Sequence, residues 1–257
     1  MNKVLLSIAG FDPSGGAGIL LDLRIFQKLH YQGTAVITAH TVQSTQKVVR
    51  LQQMNPGLIW DQYFTLNQDV AIQGIKVGML GFQENLETLE RILDDSSSIP
   101  TVIDPVFQAS SGNWLFPREA IPNFMQSIQG RASLLTPNLL EASLITGKAV
   151  NDLTDMERAA KQMFNDYGLP VLVKGGHLAD EITDILFDRA QIHAYENVRS
   201  AHDVHGTGCC LSSAILCFLV NGHSLAEACQ KAIDFTHALI ETSGAVGKGQ
   251  RLLILPD

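Results

Sequence analysis

The segment HGTGC at residues 205–209 combines residue types and a spacing that suit the binding of an anion. An apolar run follows it, so its backbone N–H groups are expected at the N-terminus of a helix. Glycines let the backbone approach an anion closely, and the unpaired N–H groups and the helix dipole attract it. Gly206, Thr207 and Gly208 are therefore predicted to bind a phosphate during its transfer. A tight turn that only caps the helix would give the same pattern.

Cys209 closes this segment and is the candidate for proton or covalent chemistry. A thiol at a helix N-terminus is expected to have a lowered pKa, and it can then act as a base or a nucleophile. Cys217 and Cys229 are predicted to be small buried hydrophobes, and Cys210 to point into the helix packing. No CxxC pair occurs and Cys209 adjoins Cys210, which predicts a reduced, cytoplasmic chain.

Asp104, Glu141 and Lys174 have the side chains to hold a metal ion and phosphate groups. Asp104 follows a predicted strand, and Glu141 stands three residues after Asn138 on the first turn of a predicted helix. Mg²⁺ usually takes one or two carboxylates and completes its shell with water and substrate phosphates. Lys174 leaves another predicted strand beside two glycines, where its charge would neutralise phosphate. Carboxylates that serve only as caps are the competing interpretation.

A second glycine-rich helix start, GGAG at residues 15–18, matches neither the Walker A motif nor GxGxxG. A helix packed closely on the first strand explains it equally well. Asp22 lies one helical turn further along, inside the apolar run LLDL. A carboxylate there either accepts hydrogen bonds locally or faces a ligand, and both interpretations remain open.

Short apolar runs between turn residues are the elements that must position these side chains. Parallel strands buried on both faces have this pattern. Because ligands bind beyond the carboxyl ends of parallel strands, the polar segments that follow these runs are predicted to share one site. The predicted strands are 4–9, 35–39, 74–77, 101–103, 133–135 and 171–173.

Helical patterns alternate with these strands, which predicts an α/β fold with a mostly parallel sheet. Thr154 and Glu157 predict a capping box for a helix that runs through Tyr167. Residues 183–187 and 191–195 are predicted to form an antiparallel hairpin at the sheet edge. Apolar spacing predicts further helices at 19–29, 86–93, 208–220 and 225–243.

The composition argues against a nucleic-acid-binding protein and against a membrane protein. The chain has 257 residues, of which 46% are hydrophobic, and a formal net charge of −8. This acidic balance disfavours nucleic-acid binding, which depends on Lys and Arg. The longest apolar stretch, residues 211–220, has half the length that a membrane span needs, so no membrane partner is expected. Without a linker or an internal repeat, residues 1–257 are predicted to form a single domain.

Seven segments together resemble the hydroxymethylpyrimidine/phosphomethylpyrimidine kinases of the thiamine pathway, within the ribokinase superfamily. The motifs DPSGGAG, VKGGH and HGTGC are specific to the pyrimidine and pyridoxal branch, in which a Cys replaces the usual Asp of the last motif. The segments follow the family's order: SIAGFDPSGGAGILLDL (7–23), VITAHTVQST (36–45), IKVGML (75–80), VIDPV (102–106), LLTPNLLEA (134–142), VLVKGGHL (171–178) and HGTGC (205–209).

The resemblance implies a ribokinase-like three-layer α/β/α sandwich with an antiparallel edge hairpin. It implies transfer of the γ-phosphoryl group of ATP, with Mg²⁺, to the hydroxymethyl group of 4-amino-5-hydroxymethyl-2-methylpyrimidine. A second round would convert the monophosphate to the diphosphate. A cytoplasmic homodimer is also implied.

Site residues follow from the resemblance by position. Gln43 should bond the pyrimidine edge, Met79 should pack on the ring, and Ala17 and Asp22 should lie in the substrate half of the site. The phosphate half is assigned to the metal-binding Asp104 and Glu141, the ATP-binding Lys174, the anion hole of Gly206, Thr207 and Gly208, and Cys209 as catalytic base.

Three departures from the family pattern bear on the substrate. His40 stands where an apolar residue is expected, Ser110 where the family often has Lys, and the tail 247–257 lacks the usual Gly-His-Gly ending. A pyridoxal or pyridoxine kinase of the same branch therefore remains an alternative, in which Cys209 could add reversibly to the aldehyde. A catalytically silent vitamin-binding protein is disfavoured, because it would not need the phosphate-binding residues.

Overall fold

A computed structural model describes residues 3–176, 182–189, 191–197 and 202–255. His177 of the VKGGH motif and Ala190 of the predicted hairpin turn lie outside these ranges. In the described part of the chain, no helix combines the length and the apolarity that crossing a bilayer requires.

Strands and helices alternate along most of the chain. The strands are β1 Val4–Phe11, β2 Gln32–Gln43, β3 Val48–Gln53, β4 Ile72–Val77, β5 Thr101–Ile103, β6 Leu134–Leu135, β7 Val171–Val173, β8 Ile182–Asp188, β9 Gln191–Asn197, β10 Val204–His205 and β11 Arg251–Leu252. The α-helices are α1 Gly18–Lys28, α2 Pro56–Asp69, α3 Leu86–Asp95, α4 Ile121–Ile128, α5 Leu139–Thr146, α6 Leu153–Tyr167, α7 Thr207–Val220 and α8 Leu225–Glu241.

Nine strands form one sheet in the order β3-β2-β1-β4-β5-β6-β7-β8-β9. The pairs from β2 to β7 are parallel, whereas β3 at one edge and β8 and β9 at the other pair antiparallel. The predicted edge hairpin is thus confirmed. A separate two-stranded parallel sheet joins β10 to β11.

Two apolar cores cover the two faces of the sheet. Neighbouring residues of one strand enter different cores, as Leu5 and Leu6 do on β1 and Val102 and Ile103 do on β5. Successive side chains of a strand point to opposite faces, so strands that are apolar throughout are buried on both sides. Helices α2, α3, α4 and α6 pack on one face and α1, α7 and α8 on the other, which confirms the three-layer α/β/α sandwich.

The sequence-based elements differ from the structure at several points, and helices α2 and α4 were not predicted. The six predicted strands all occur, but β3 was not predicted because Arg and Gln interrupt its apolar pattern. The capping box of Thr154 with Glu157 is wrong: Asp152 is the N-cap and accepts a hydrogen bond from the Asp155 N–H at 2.8 Å. The sheet of β10 and β11 joins residues far apart in sequence, so no local pattern marks it.

Strand β1 has β2 on one side and β4 on the other, which makes its carboxyl end the point where the connections diverge. Crevices at such points are the usual ligand sites of parallel α/β sheets. The segments after β1, β4, β5, β6 and β7, together with the start of α7, meet at this edge.

Candidate active site

A cleft of about 880 Å³ opens at the carboxyl edge of the sheet. Ten of the eleven residues predicted for the site line it, and Asp22 is the exception. The ten are Ala17, Gln43, Met79, Asp104, Glu141, Lys174, Gly206, Thr207, Gly208 and Cys209. A smaller cavity of about 140 Å³ adjoins it, shares Lys174 and Gly208, and has apolar walls that include Leu211 and Ile233.

The glycine loop ends at the N-terminus of α7, as predicted. Gly206 is the N-cap with φ 86°, and a Cβ there would overlap the carbonyl oxygen of Gly16. Only glycine adopts this conformation and this approach without strain. The Cys210 N–H donates to the Gly206 carbonyl at 2.9 Å, and the preceding N–H groups, at Thr207, Gly208 and Cys209, have no intrahelical acceptor. The loop therefore offers backbone donors to an anion in the cleft.

A buried ion pair lies directly beneath this loop. Lys174 Nζ donates to Asp104 Oδ1 at 2.7 Å, and the Asp104 side chain is 1% exposed. Thr136 Oγ1 donates to the same oxygen at 3.2 Å. A Cβ on Gly208 would come within 3.1 Å of Lys174 Nζ, so that glycine keeps the ammonium accessible from the loop. The carboxylates raise the pKa of Lys174 despite burial, which would lower it, so the amine keeps its charge.

Glu141 both caps a helix and faces this ion pair. It accepts a hydrogen bond from the Asn138 N–H at 2.8 Å, and its own N–H donates to Asn138 Oδ1 at 2.9 Å. Burial raises the pKa of Glu141 to about 7; the Lys174 ammonium opposes this rise and the Asp104 carboxylate adds to it. Within the described ranges, no group of three or more His, Cys, Asp or Glu side chains is placed to hold a metal ion. Two carboxylates suit an ion that takes its other ligands from phosphate and water.

Cys209 lines the cleft, but the prediction of a lowered thiol pKa is wrong. Burial raises the pKa of Cys209 to about 11; Lys76 and the Gly18 N–H lower it, but the carboxylates of Asp22 and Asp104 raise it. The thiol therefore keeps its proton at neutral pH. Cys210, Cys217 and Cys229 are buried, as predicted.

We expect Cys209 to react slowly with iodoacetamide at pH 7. Raising the pKa from 9.0 to about 11 reduces the thiolate fraction, and the greater nucleophilicity of a basic thiolate offsets only part of this loss, which leaves a rate about tenfold below that of a free thiol. Alkylation followed by mass spectrometry should accelerate up to pH 10, with Cys209→Ser as the unlabelled control. A rate at pH 7 equal to that of N-acetylcysteine would contradict this.

Asp22 lies behind the cleft in a buried polar cluster. It accepts hydrogen bonds from Ser7 Oγ at 2.6 Å, from Ser213 Oγ at 2.9 Å and from Lys76 Nζ at 3.0 Å. Both side chains of the Asp22–Lys76 pair are 0% exposed. The carboxylate is therefore satisfied by hydrogen bonds within the protein, but its partners are distant in sequence and not local, as one of the two interpretations had it. Sequence reasoning missed Lys76, although a lysine within the apolar strand IQGIKV is a signal of a buried partner.

Lys76→Met is expected to destabilise the fold by about 3–5 kcal/mol, because it leaves the Asp22 carboxylate buried without its counter-ion. Urea unfolding monitored by circular dichroism measures the decrease in the free energy of unfolding. The matched control is Lys161→Met, whose amine makes only a surface contact of 3.9 Å with Glu157. A loss below about 1 kcal/mol would show that the pair is not needed for folding.

An apolar wall forms the opposite side of the cleft. Met79 is 8% exposed and packs with Leu115 and Val106, and a Cβ on Gly10 would overlap its methyl group. A flat ring would find close contact on this wall. His40, which stands where the family pattern has an apolar residue, is exposed and absent from the cleft lining. Its side chain is therefore not placed to contact a substrate in the cleft.

The mouth of the cleft carries polar side chains that sequence reasoning did not select. His205 Nε2 lies 3.0 Å from Asp12 Oδ2 and 3.2 Å from Gln43 Nε2. Asp12 directly follows β1, so its position at a strand end was a usable signal. His205 opens the HGTGC motif, and in the described ranges it belongs to no group of side chains that could hold a metal ion.

Comparison with known proteins places this geometry in a family. The family model described as phosphomethylpyrimidine kinase matches residues 12–253. A hydroxymethylpyrimidine/phosphomethylpyrimidine kinase from Aquifex aeolicus is 35% identical over 252 residues, which cover 97% of this chain and 99% of that protein. A relative of the same name from Rhizobium meliloti is 36% identical over 255 residues, covering 97% and 95%.

Two solved structures share the whole architecture. Phosphomethylpyrimidine kinase from Clostridium difficile superposes with a TM-score of 0.81 at 32% identity, covering 92% of this chain and 99% of that one. Pyridoxal kinase from Staphylococcus aureus, in complex with pyridoxal, superposes with a TM-score of 0.91 at 27% identity, covering 99% and 93%. Since the family model spans nearly the whole chain and relatives above 30% identity match end to end, the chain belongs to the phosphomethylpyrimidine kinase family.

Proposed function

We propose that this chain transfers the γ-phosphoryl group of ATP to the hydroxymethyl group of 4-amino-5-hydroxymethyl-2-methylpyrimidine and then to the resulting monophosphate. One observation carries the proposal: a single cleft joins an anion-binding helix N-terminus and the Lys174–Asp104 pair to an apolar wall suited to a ring. Family membership supports the choice of reaction. The pyrimidine is favoured over pyridoxal because relatives at 35% and 36% identity carry the pyrimidine kinase name, whereas the pyridoxal kinase from Staphylococcus aureus is 27% identical.

The heterocycle is assigned to the side of the cleft that Met79 forms. Met79 supplies apolar contact, Gln43 supplies a polar group for the ring edge, and Ala17 lies at the N-cap of α1 between the ring and the loop. Asp22 is buried behind the cleft and supports it indirectly. Its carboxylate accepts a hydrogen bond from Ser213 and so holds α1 and α7 together.

The phosphates are assigned to the opposite side. Lys174 and the N–H groups of the glycine loop stabilise the charge on the phosphoryl group as it moves, and this is the main catalytic need of phosphoryl transfer. The adjoining apolar cavity is the place for the base of ATP. Asp104 and Glu141 would hold Mg²⁺ together with phosphate oxygens, and the ion would neutralise charge on the phosphates.

Cys209 occupies the base position of this site. Its thiol accepts a hydrogen bond from the Gly18 N–H and keeps its proton in the free protein. In a loose transition state the attacking hydroxyl loses its proton late, so a weak acceptor in the right place is sufficient. Cys209 is thus assigned to orient the hydroxyl through its sulfur. The hydroxyl proton leaves late, to an oxygen of the transferred phosphoryl group or to water, because a protonated thiol has no site for a second proton.

Coupled measurement of ADP release tests the proposed function. The panel contains the hydroxymethylpyrimidine, its monophosphate, pyridoxal and no substrate, each with ATP and Mg²⁺. Turnover of both pyrimidines supports the proposal. Turnover of pyridoxal alone would move the assignment to the pyridoxal kinase branch, and ligand binding without turnover would identify a silent vitamin-binding protein.

The family resemblance also supports a homodimer. Light scattering coupled to size exclusion would then give twice the 28.0 kDa of one chain. A mass equal to one chain at micromolar concentration would contradict this assignment.

A further inference from the structure

A chain of hydrogen bonds crosses the mouth of the cleft and has one direction. Gln250 Nε2 donates to Asp203 Oδ2 at 2.9 Å, which turns the amide oxygen of Gln250 toward Ser110. Ser110 Oγ donates its single proton to that oxygen at 2.7 Å. The Ser110 oxygen also lies 3.3 Å from His205 Nδ1, so the chain ends on this ring.

The second ring nitrogen of His205 faces the Asp12 carboxylate. Burial alone would raise the pKa of Asp12, but hydrogen bonds from His205 and Ser14 hold it below its usual value. The carboxylate is therefore ionised and accepts only, so the Nε2–H of His205 donates to Asp12 Oδ2 across 3.0 Å. Asp12 and Ser110 flank the ring, and Gly16 packs against its edge, where a Cβ would meet His205 Cδ2.

This arrangement decides which way the Gln43 amide must point. The Gln43 amide atom assigned as Nε2 lies 3.2 Å from His205 Nε2, and this ring nitrogen carries a proton. Two donors do not face each other, and an amide turned by 180° fills the same space, so the Gln43 oxygen belongs toward the ring. The NH₂ group of Gln43 then points away from His205.

We propose that His205, held by Asp12 and Ser110, is a positioning residue that fixes the Gln43 carboxamide with its NH₂ group toward the substrate. This inference rests on the proposed function, because it assumes that the heterocycle lies against Gln43. The NH₂ group then donates to a ring nitrogen, and the second lone pair of the amide oxygen accepts from the neighbouring exocyclic amine. The selected substrate class is a heterocycle that offers a ring acceptor beside an amino donor.

A binding cycle without ATP tests this assignment. Calorimetry compares the hydroxymethylpyrimidine with the analogue in which a CH group replaces the ring nitrogen beside the amine. The wild type should prefer the pyrimidine by about tenfold or more, because the analogue leaves a buried donor unpaired. The preference should fall toward unity in His205→Ala and Gln43→Ala, and the double variant should match Gln43→Ala alone. His223→Ala, at the far end of α7, is the matched control and should keep the wild-type preference.

The possible outcomes separate this inference from the proposed function. A wild-type preference retained in His205→Ala, or multiplicative losses in the double variant, would overturn the positioning role even if the pyrimidine is turned over. If the wild type binds pyridoxal instead, the proposed function fails, and the same cycle with pyridoxal still shows whether His205 acts through Gln43. Binding of neither ligand would overturn both. Should His205→Ala unfold on thermal melting, Asp12→Asn removes the same restraint and should give the same loss of preference.

Discussion

Replacing Lys174 with methionine is expected to lower kcat by about 10²–10³-fold, the usual cost of removing one preorganised group that stabilises transferred charge. The ammonium lies 2.7 Å from Asp104, with its side chain 13% exposed, so it is held in place at the floor of the cleft. Its removal also takes away the charge that lowers the pKa of Glu141. Phosphate should therefore bind more weakly, and the pKa of Glu141 should rise, so that a smaller fraction of this carboxyl is ionised.

Steady-state ADP release at saturating ATP measures this loss. Lys148→Met is the matched control, because Lys148 is exposed and its amine donates to the Gln162 side chain at 3.1 Å, outside the residues that line the cleft. It should retain the wild-type kcat. A Lys174→Met enzyme with kcat within threefold of the wild type would show that the buried ammonium does not stabilise the transferred group.

Gly206→Ala is expected to lower kcat by about 10²-fold. The φ of 86° strains any residue with a Cβ, and the new methyl group would overlap the Gly16 carbonyl and the Leu21 side chain. Strain of this kind costs about 1–3 kcal/mol. Relief of the overlap must displace the start of α7, and a displacement of about 1 Å at a reacting group costs about 10²-fold in rate.

Gly222→Ala separates these two effects. Gly222 has φ 93°, and a Cβ there would meet nothing within 4 Å, so the variant carries the backbone strain without the overlap. Thermal melting should show a modest destabilisation in Gly222→Ala and a larger one in Gly206→Ala, while kcat falls only in Gly206→Ala. Equal activity in the two variants would contradict the view that the position of the glycine loop governs the reaction.

The strand ends show how far the sequence predicts this site. Asp104 and Lys174 each follow a short apolar run, and parallel packing brings such ends together, so their proximity was predictable without coordinates. The burial of Asp22 behind the cleft was not predictable, because its partner Lys76 lies 54 residues away on another strand. The burial of a charge depends on tertiary neighbours that a local pattern does not contain.

Cys209 illustrates a second limit. The helix start was predicted correctly, and a helix N-terminus alone favours the thiolate. The direction of the pKa shift was wrong because burial and the carboxylates of Asp22 and Asp104 outweigh that effect. The His205 network was likewise hidden, since its members Asp12, Ser110 and Gln250 come from three distant segments.

Phosphorus NMR of the reaction mixture tests the central claim most directly. Purified protein with ATP, Mg²⁺ and the hydroxymethylpyrimidine is expected to give a phosphomonoester signal first and a diphosphate signal later, with loss of the γ-phosphate signal of ATP. Cys209→Ala should slow the appearance of both products. An unchanged ATP spectrum with the pyrimidine, together with ATP consumption when pyridoxal replaces it, would contradict the assigned substrate.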